Sequence, residues 1–248
     1  FRLAKDFNWR TSYNVSYNSN KILKTAYNDQ GKELIQQQVV GGTYIRYKEG
    51  GSIGDMYIHD FERDANGNIA LTRSGAPRFK SSGQDADLIY VGNMNSKWQM
   101  GWSNNFNYKD FTLSFLINGR IGGKVISLTE AYLDQYGLSQ RVADARLNAE
   151  RNNIVATDYK NAPGMQLNDG SGRIVPVEAY YKAMGASTNP YNYIYSATNF
   201  RLRELSLGYT FRNLLGQNKN LNVAFIARNL FFLYNDSPVD PDVSLSTA

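Results

Sequence analysis

The chain has 248 residues, a formal net charge of +5, no cysteine, 18 Tyr and 21 Gly. The lack of cysteine excludes disulfides, thiolate nucleophiles and Cys-ligated metals, and the scattered Lys and Arg residues form no basic patch for nucleic acid. No run of eighteen apolar residues occurs, so a transmembrane helix is excluded, whereas barrel strands need only about 9–11 alternating residues each. Because the sequence opens at Phe1 in mid-pattern, without a start Met or signal peptide, we expect a piece of a longer polypeptide.

The first predicted element is a strand at 7–18, where aromatic and polar residues alternate. One face carries Phe7, Trp9, Thr11, Tyr13, Val15 and Tyr17, and the other carries Asn8, Arg10, Ser12, Asn14 and Ser16. A soluble sheet with its aromatic face on a core has this pattern. A membrane barrel has it too, with the aromatic residues against lipid and the polar row toward a wet lumen. Periodicity alone leaves both interpretations open.

Four more strands are predicted by period-two alternation, at 98–108, 111–121, 200–211 and 221–234. The connections between strands alternate in length: those near 4–6, 109–110 and 212–220 are short, and those at 19–97, 122–199 and 235–248 are long. Short periplasmic turns and long external loops are typical of a membrane barrel. A soluble sandwich has no reason to sort its connections in this way.

The long connections are predicted to carry structure of their own. The turn-forming run 64–68 predicts a hairpin between strands at 56–62 and 69–73. Apolar residues at helical spacing predict helix within 127–149, with a break at Gly137. Further along, Pro176 predicts the start of a short helix, and alternating tyrosines at 191–195 predict an extended run into the strand at 200.

Two loop motifs lack residues that their chemistry requires. The run 118–125 has Asn118 in place of the first Gly of a phosphate-binding loop and Val125 in place of its hydroxyl residue. The spacing of the polar residues in 64–68 matches the start of an EF-hand loop, but the Gly at the sixth position and the Glu at the twelfth are missing. We therefore interpret these runs as a strand end and a plain turn.

Catalytic and metal-binding constellations are also incomplete. His59 is the only histidine, and no G-x-S-x-G elbow accompanies it, so no Ser-His-Asp or Cys-His system and no His-based zinc site is expected. Asp85 and Asp87 are weak candidates for a glycosidase pair. The acidic cluster of Asp236, Asp240 and Asp242 is interpreted as a solvated, proline-stiffened loop. The sequence predicts a protein that is not an enzyme, with no catalytic residue, metal site or cofactor.

The last long connection concentrates aromatic and amide side chains. Aromatic faces stack on sugar rings or peptide groups and amides add hydrogen bonds, which favours contact with a substrate or partner. A loop core uses the same residue types, and both interpretations stay open. The candidate contact residues are Tyr180, Tyr181, Asn189, Tyr191, Asn192, Tyr193 and Tyr195.

Four segments resemble the late barrel of the SusC/RagA-type TonB-dependent outer-membrane transporters. They are 90–102, 110–115, 202–209 (Leu-Arg-Glu-Leu-Ser-Leu-Gly-Tyr) and 227–231 (Ala-Arg-Asn-Leu-Phe). The resemblance runs over most of the chain and implies an all-β fold, a section of an antiparallel transmembrane β-barrel with short helices in long extracellular loops. It implies part of an active importer of glycan fragments or peptides in the outer membrane of a Gram-negative bacterium.

The same resemblance implies the partners. These are a SusD-like surface lipoprotein, outer-membrane lipid, a glycan or peptide ligand, and TonB, which contacts the N-terminal region of such proteins; nucleic acid is not expected. Neither the N-terminal plug nor the final strand of the family has a counterpart here, so residues 1–248 are expected to form one partial barrel.

The barrel interpretation assigns positions to particular side chains. Asn8, Arg10, Ser12 and Asn14 are predicted to face the lumen or plug, and Trp9, Tyr108, Phe111 and Phe211 to lie in the periplasmic aromatic girdle. The alternative is a soluble or secreted β-rich carbohydrate-binding module. That module folds in water without detergent, whereas an isolated barrel segment aggregates because its aromatic face is unpaired.

Overall fold

The computed structural model describes residues 6–40, 42–81, 87–156, 158–186, 189–214 and 216–242. Antiparallel sheets dominate, with short helices in the long connections, which confirms the predicted fold class. Each helix in these described ranges is too short or too polar to cross a bilayer. The chain divides into two compact units. The sheet unit contains the described residues of Phe1–Ser19, Asn95–Lys124 and Ser196–Ser244, and the loop unit contains those of Asn20–Met94 and Val125–Tyr195.

The elements follow in chain order. The strands are β1 (Phe7–Tyr17), β2 (Gln36–Val40), β3 (Thr43–Tyr47), β4 (Asp55–His59), β5 (Leu88–Asn93), β6 (Trp98–Tyr108), β7 (Phe111–Ile121), β8 (Lys124–Ile126), β9 (Val155–Ala156), β10 (Ala162–Gln166), β11 (Ile174–Pro176), β12 (Ile194–Ser196), β13 (Asn199–Phe211) and β14 (Leu221–Asn235). The helices are α1 (Leu128–Gln135), α2 (Gln140–Arg151) and α3 (Val177–Met184).

The sheet unit is built on five long antiparallel strands in the order β1-β6-β7-β13-β14. A two-residue turn joins β6 to β7, and its first residue, Lys109, has a φ of 52°, in the left-handed region. A bulge interrupts β13 between Leu202 and Glu204, so that Arg203 is the extra residue relative to β7. Because strand neighbours pair across the whole sheet, side chains fall into rows that belong to one face or the other.

The rows give the sheet two chemically different faces. One row runs Trp9, Phe106, Leu113, Leu207, Phe225 across the five strands, and we call its side the aromatic face. The adjacent row runs Asn8, Asn107, Thr112, Gly208, Ala224, and we call its side the polar face. A sheet with one apolar and one polar side meets two different environments.

The loop unit has its own sheets and core. A four-stranded antiparallel sheet has the order β2-β3-β4-β5, and β9, β10 and β11 form a smaller one. Ser127 and Ser139 begin α1 and α2, since each side-chain hydroxyl accepts a hydrogen bond from a backbone N–H in the first turn. Between these helices Gly137 has a φ of 70°. A buried cluster then packs α3 against the smaller sheet: Phe61, Ile69, Leu167, Val175 and Met184.

Two local predictions are wrong in part. The turn at 64–68 forms, with the Asp64 N–H donating to the Asn68 carbonyl at 2.9 Å, and β4 overlaps the strand predicted at 56–62. The strand predicted at 69–73 is replaced by isolated bridges at Ile69 and Leu71. The extended run predicted at 191–195 is also incorrect, since Tyr191–Tyr193 forms a 3₁₀ turn directly after Pro190.

Candidate functional site

The polar face carries all four residues that were predicted to face a lumen. Asn8, Arg10, Ser12 and Asn14 lie on this side of β1 and are exposed. A Cβ at Gly101 would lie 2.6 Å from the Asn14 Oδ1 atom, so the Asn14 amide lies directly over the backbone of this glycine. The face is therefore a surface of hydroxyls and amides, which suits contact with water or a polar ligand.

Hydrogen bonds extend this polar surface across neighbouring strands. The Thr112 hydroxyl donates to Asn107 Oδ1 at 3.1 Å, and the Asn107 amide donates to Asn105 Oδ1 at 2.7 Å. Side chains that bond to one another hold fixed positions, so the face offers oriented donors and acceptors.

The aromatic face is exposed on strand after strand. Tyr13 is 62% exposed and Phe225 is 71% exposed. The polar atoms of the indole rings are satisfied within the sheet: Trp9 Nε1 donates to Asn104 Oδ1 at 2.9 Å, and Trp102 Nε1 donates to Thr11 at 3.0 Å. A contiguous apolar surface of this kind marks a site that contacts protein or membrane.

The predicted girdle residues cluster at the end of the sheet where the short turns lie. Tyr108 pairs with Phe111 across the β6–β7 turn, and the Phe111 ring lies 4.6 Å from that of Tyr209, which in turn contacts Phe211 at 4.7 Å. Trp9 lies one row further in, stacked on Phe106 at 5.8 Å. Amphipathic rings in such a band suit a membrane–water interface.

The loop unit brings three of the predicted contact residues into one cleft of about 200 Å³, which we call the aromatic cleft. Tyr180 comes from α3, and Tyr191 and Asn192 come from the 3₁₀ turn. The Tyr191 ring lies 4.7 Å from that of Phe61, and the Asn192 amide donates to the Tyr180 hydroxyl at 3.3 Å. The other lining residues are Arg63, Ile69, Leu167, Asn168 and Asp169.

The carboxylate of Asp169 in this cleft is bound by groups of the chain itself. Its carboxylate accepts hydrogen bonds from Ser171, from Arg173 at 2.8 Å and from the Ile69 N–H at 3.1 Å. Burial alone raises the pKa of Asp169, but the bonds from Ser171 and Arg173 outweigh it and hold the pKa well below its ordinary range. The cleft therefore offers a ligand aromatic ring faces, amides and the guanidinium of Arg63, which suit stacking and hydrogen bonding.

Three other predicted contact residues are internal. The Asn189 amide donates to the His59 carbonyl at 3.0 Å, and the Tyr193 hydroxyl, 0% exposed, donates to Asp134 Oδ2 at 2.7 Å. Burial, and next the bond to Asp134, raise the pKa of Tyr193. Tyr195 bonds to Glu130. These side chains position the turn that carries Tyr191 and Asn192 and present little surface of their own.

Tyr181 lines a second cleft, of about 230 Å³, with residues of α1, α2 and α3. It therefore does not join Tyr180 in the aromatic cleft, although the two residues are adjacent in sequence. Phe61, Arg63 and Asn168 line the aromatic cleft but were absent from the sequence prediction. No local pattern signals Phe61 and Arg63, because contacts across more than a hundred residues of chain bring them to Tyr180; Asn168 lies only 12 residues before Tyr180, in a turn with no distinguishing pattern.

The remaining motifs take structural positions. His59 is buried with its Nε2 atom 2.8 Å from the Tyr44 hydroxyl, and Asp64 caps its own turn by accepting from Asn66 and Asn68. In the part of the chain that the structure describes, no three His, Asp or Glu side chains converge as a metal site. Asp85 lies outside the described residues.

Comparison with curated proteins finds similarity to TonB-dependent receptors, whereas no protein-family model matches the chain. The TonB-dependent receptor P39 of Formosa agariphila is 27% identical over 281 residues, which cover 96% of this chain and 26% of the relative. The TonB-dependent receptor SusC of Bacteroides thetaiotaomicron is 24% identical over 221 residues, covering 86% and 19%. The chain thus spans about a quarter or less of the length of these relatives.

Solved structures show the same relationship at the level of fold. The RagAB peptide importer in its open-open state matches with a TM-score of 0.60 at 17% identity, over 96% of this chain and 24% of that chain. Its closed-closed state matches with a TM-score of 0.58 at 18% identity, over 96% and 25%. The predicted resemblance to SusC/RagA-type transporters, and the fold that it implied, are confirmed.

Proposed function

We propose that this SusC/RagA-like chain forms part of the wall and the outer loops of a TonB-dependent importer in a bacterial outer membrane. The observation that carries the proposal is the two-faced sheet. On each long strand the aromatic face carries exposed apolar side chains. The opposite face is rich in hydroxyls and amides on β1, β6, β7 and β13, whereas on β14 it carries Asn222 and Arg228 beside Ile226. A transmembrane barrel requires this arrangement, with apolar side chains toward lipid and polar side chains toward the lumen.

The proposal gives each region of residues 1–248 a place. Asn8, Arg10, Ser12 and Asn14 face the lumen or plug. Trp9, Tyr108, Phe111 and Phe211 lie at the periplasmic interface, on the side of the short turns. The long connections at 19–97, 122–199 and 235–248 lie outside the cell, where loops of such barrels contact ligand and partner.

The edges of the sheet support a larger barrel. β1 and β14, of 11 and 15 residues, are the outermost strands of the five-stranded sheet. Backbone N–H and C=O groups at an open edge have no partner in lipid, and each costs several kcal/mol there. We therefore infer that strands from outside this chain pair with both edges, consistent with relatives about four times as long.

We assign ligand contact to the aromatic cleft. Tyr180, Tyr191 and Asn192 offer ring faces and an amide of the kind that binds a sugar ring or a peptide segment. Glycan fragments and peptides are both proposed cargo classes, a SusD-like lipoprotein is the proposed partner at the outer surface, and TonB supplies the energy. Transport of this kind needs binding and gated passage but no covalent chemistry, so the chain carries no enzymatic activity.

Purification from native outer membranes tests this proposal. The parent protein is extracted in mild detergent through an epitope in this chain, and mass spectrometry sizes it and identifies what accompanies it. We expect a polypeptide about four times as long as this chain together with a lipidated partner. Recovery of a free, water-soluble protein near 28 kDa would reject the importer and favour the carbohydrate-binding module.

A further inference from the structure

Three arginines converge on the polar face, at the end of the sheet opposite the aromatic girdle. Arg120 comes from β7, and Arg201 and Arg203 come from β13. Their counterions are Asp240 and Asp242, from the segment that follows β14. Asp240 pairs with Arg201, while Asp242 contacts Arg203, Arg201 at 3.4 Å and Arg120 at 3.3 Å.

The guanidinium groups are held in place by more than these carboxylates. Arg201 is largely buried and lies over the Phe232 ring, 3.9 Å from its centroid, and Arg203 also donates to Asn229 Oδ1 at 2.8 Å. A guanidinium on an aromatic face keeps its orientation. The Phe232 ring and Asn229 therefore hold Arg201 and Arg203 in place independently of the two carboxylates, whereas Arg120 is tied to them through Asp242.

Asp240 and Asp242 lie on a segment outside the sheet, unlike an acidic residue that forms its ion pair from a neighbouring strand. Elsewhere on this face Arg228 pairs with Glu204 at 3.1 Å, and both residues belong to paired strands. Asp240 and Asp242 instead lie beyond β14, where the Asp242 N–H bonds to Asp240 Oδ1 at 2.9 Å. The two carboxylates can leave the arginines without opening the strand ladder.

The cluster of three arginines and two aspartates keeps an excess positive charge and adjoins a small cleft. Three guanidiniums against two carboxylates leave a net charge of +1. A polar cleft of about 80 Å³ adjoins them, and the amides of Gln99, Asn118 and Asn199 line it. Convergent guanidiniums with neighbouring amide donors match the fork geometry by which proteins recognise carboxylates.

We propose that Arg120, Arg201 and Arg203 form an acceptor site for carboxylate groups of the cargo, and that Asp240 and Asp242 are its internal occupants, which acidic cargo displaces. The ligand class is a carboxylate-bearing oligomer, either an acidic sugar chain or an acidic peptide. The assignment of this ligand as cargo rests on the proposed import function. The binding itself does not, since it requires neither TonB nor a membrane potential.

The test uses the full receptor, purified in detergent, and a variant in which the competing carboxylates are neutralised, Asp240→Asn with Asp242→Asn. The matched control is Asp236→Asn, an exposed carboxylate in the same segment. Binding is measured by calorimetry with trigalacturonate and triglutamate, and with trigalactose and triglutamine as their neutral counterparts. The two acidic probes distinguish a sugar source of the carboxylate from a peptide source.

We expect the double variant to bind at least one acidic probe about tenfold or more tightly than the parent does, because a tethered competitor of millimolar effective concentration is removed. Neutral probes and the Asp236→Asn control are expected to show no gain, and adding Arg203→Gln is expected to abolish it. A correctly folded double variant, shown by an unchanged heat-dependent gel mobility, that binds both acidic probes no better than the parent would overturn the proposal. Failed uptake in cells, with the binding gain intact, would reject the import function alone.

Discussion

Placing a charge on the aromatic face tests the orientation of the sheet. Phe225 is 71% exposed on β14 and belongs to the apolar row, whereas the adjacent residue, Ala224, pairs with Gly208 on the polar face. The two positions lie at nearly the same depth, so Phe225→Arg and Ala224→Arg differ chiefly in the side from which the charge emerges. In the proposed barrel the first charge enters lipid and the second enters the lumen.

The expected cost of Phe225→Arg follows from its depth. Phe225 is four residues from Leu221, the girdle end of β14, which is about 13 Å along a strand at ~3.3 Å per residue. With a strand tilt of about 40° this places it ~10 Å into an apolar band ~25 Å tall, close to its middle. An Arg there costs about 2–4 kcal/mol, so the folded-to-unfolded ratio should fall about 30- to 1,000-fold.

The assay is urea unfolding of the parent receptor in lipid bilayers, with the heat-dependent gel mobility of the folded barrel as readout. We expect Ala224→Arg to cost at most about 1 kcal/mol, because the lumen is wet. If Ala224→Arg is the more damaging variant, the faces are reversed. If both variants unfold like the parent, the sheet does not lie in lipid, and either result refutes the reasoning.

Three further predictions concern the loop unit of the parent receptor. Tyr193→Phe removes the donor to Asp134 Oδ2 and, among the described residues, leaves the buried carboxylate with only its ion pair to Arg141 at 3.2 Å. The change should destabilise this unit by about 1.5–3 kcal/mol, seen as faster limited proteolysis. Equal loss in the exposed control Tyr136→Phe would contradict this. Because the pKa of Asp169 is lowered by folding, its stabilising contribution is complete above about pH 4 and is lost as the pH falls further. Amide exchange, corrected for intrinsic rates, should accelerate at Ser171 in acid, and pH-independent protection would refute the effect. Tyr191→Ala removes a ring from the aromatic cleft and should weaken binding of the co-purified ligand by about 2- to 13-fold, which is the contribution of one stacking contact. Unchanged affinity, or an equal loss in the control Tyr136→Ala, would show that the ligand does not bind in this cleft.

Much of the sheet is predictable from sequence because its two faces have opposite chemistry. In β6, Trp102 and Phe106 alternate with Ser103 and Asn105, and the partner strands repeat the alternation. Each residue type is thus dictated by its own face, and a period of two is visible without knowledge of the neighbours. The bulge at Arg203 is not visible in this way, since it changes which residues pair and leaves the composition of the strand unaltered.

The loop unit is less predictable because its contacts join distant residues. Phe61 meets Tyr191 across 130 residues of chain, and that contact decides which tyrosines line the aromatic cleft. Tyr193 is buried with its hydroxyl donating to Asp134, while Tyr191, two residues earlier, stays accessible. A tyrosine that supports a turn and one that faces a ligand have the same local pattern, so sequence alone does not separate them.

The most direct test of the central claim is a cryo-electron microscopy map of the parent receptor in a lipid nanodisc. The account predicts lipid density along the aromatic face, a solvent-filled or plug-filled space against the polar face, and further strands paired with β1 and β14. A map in which the five-stranded sheet lies outside the lipid, or in which β1 and β14 remain unpaired edges, would contradict it.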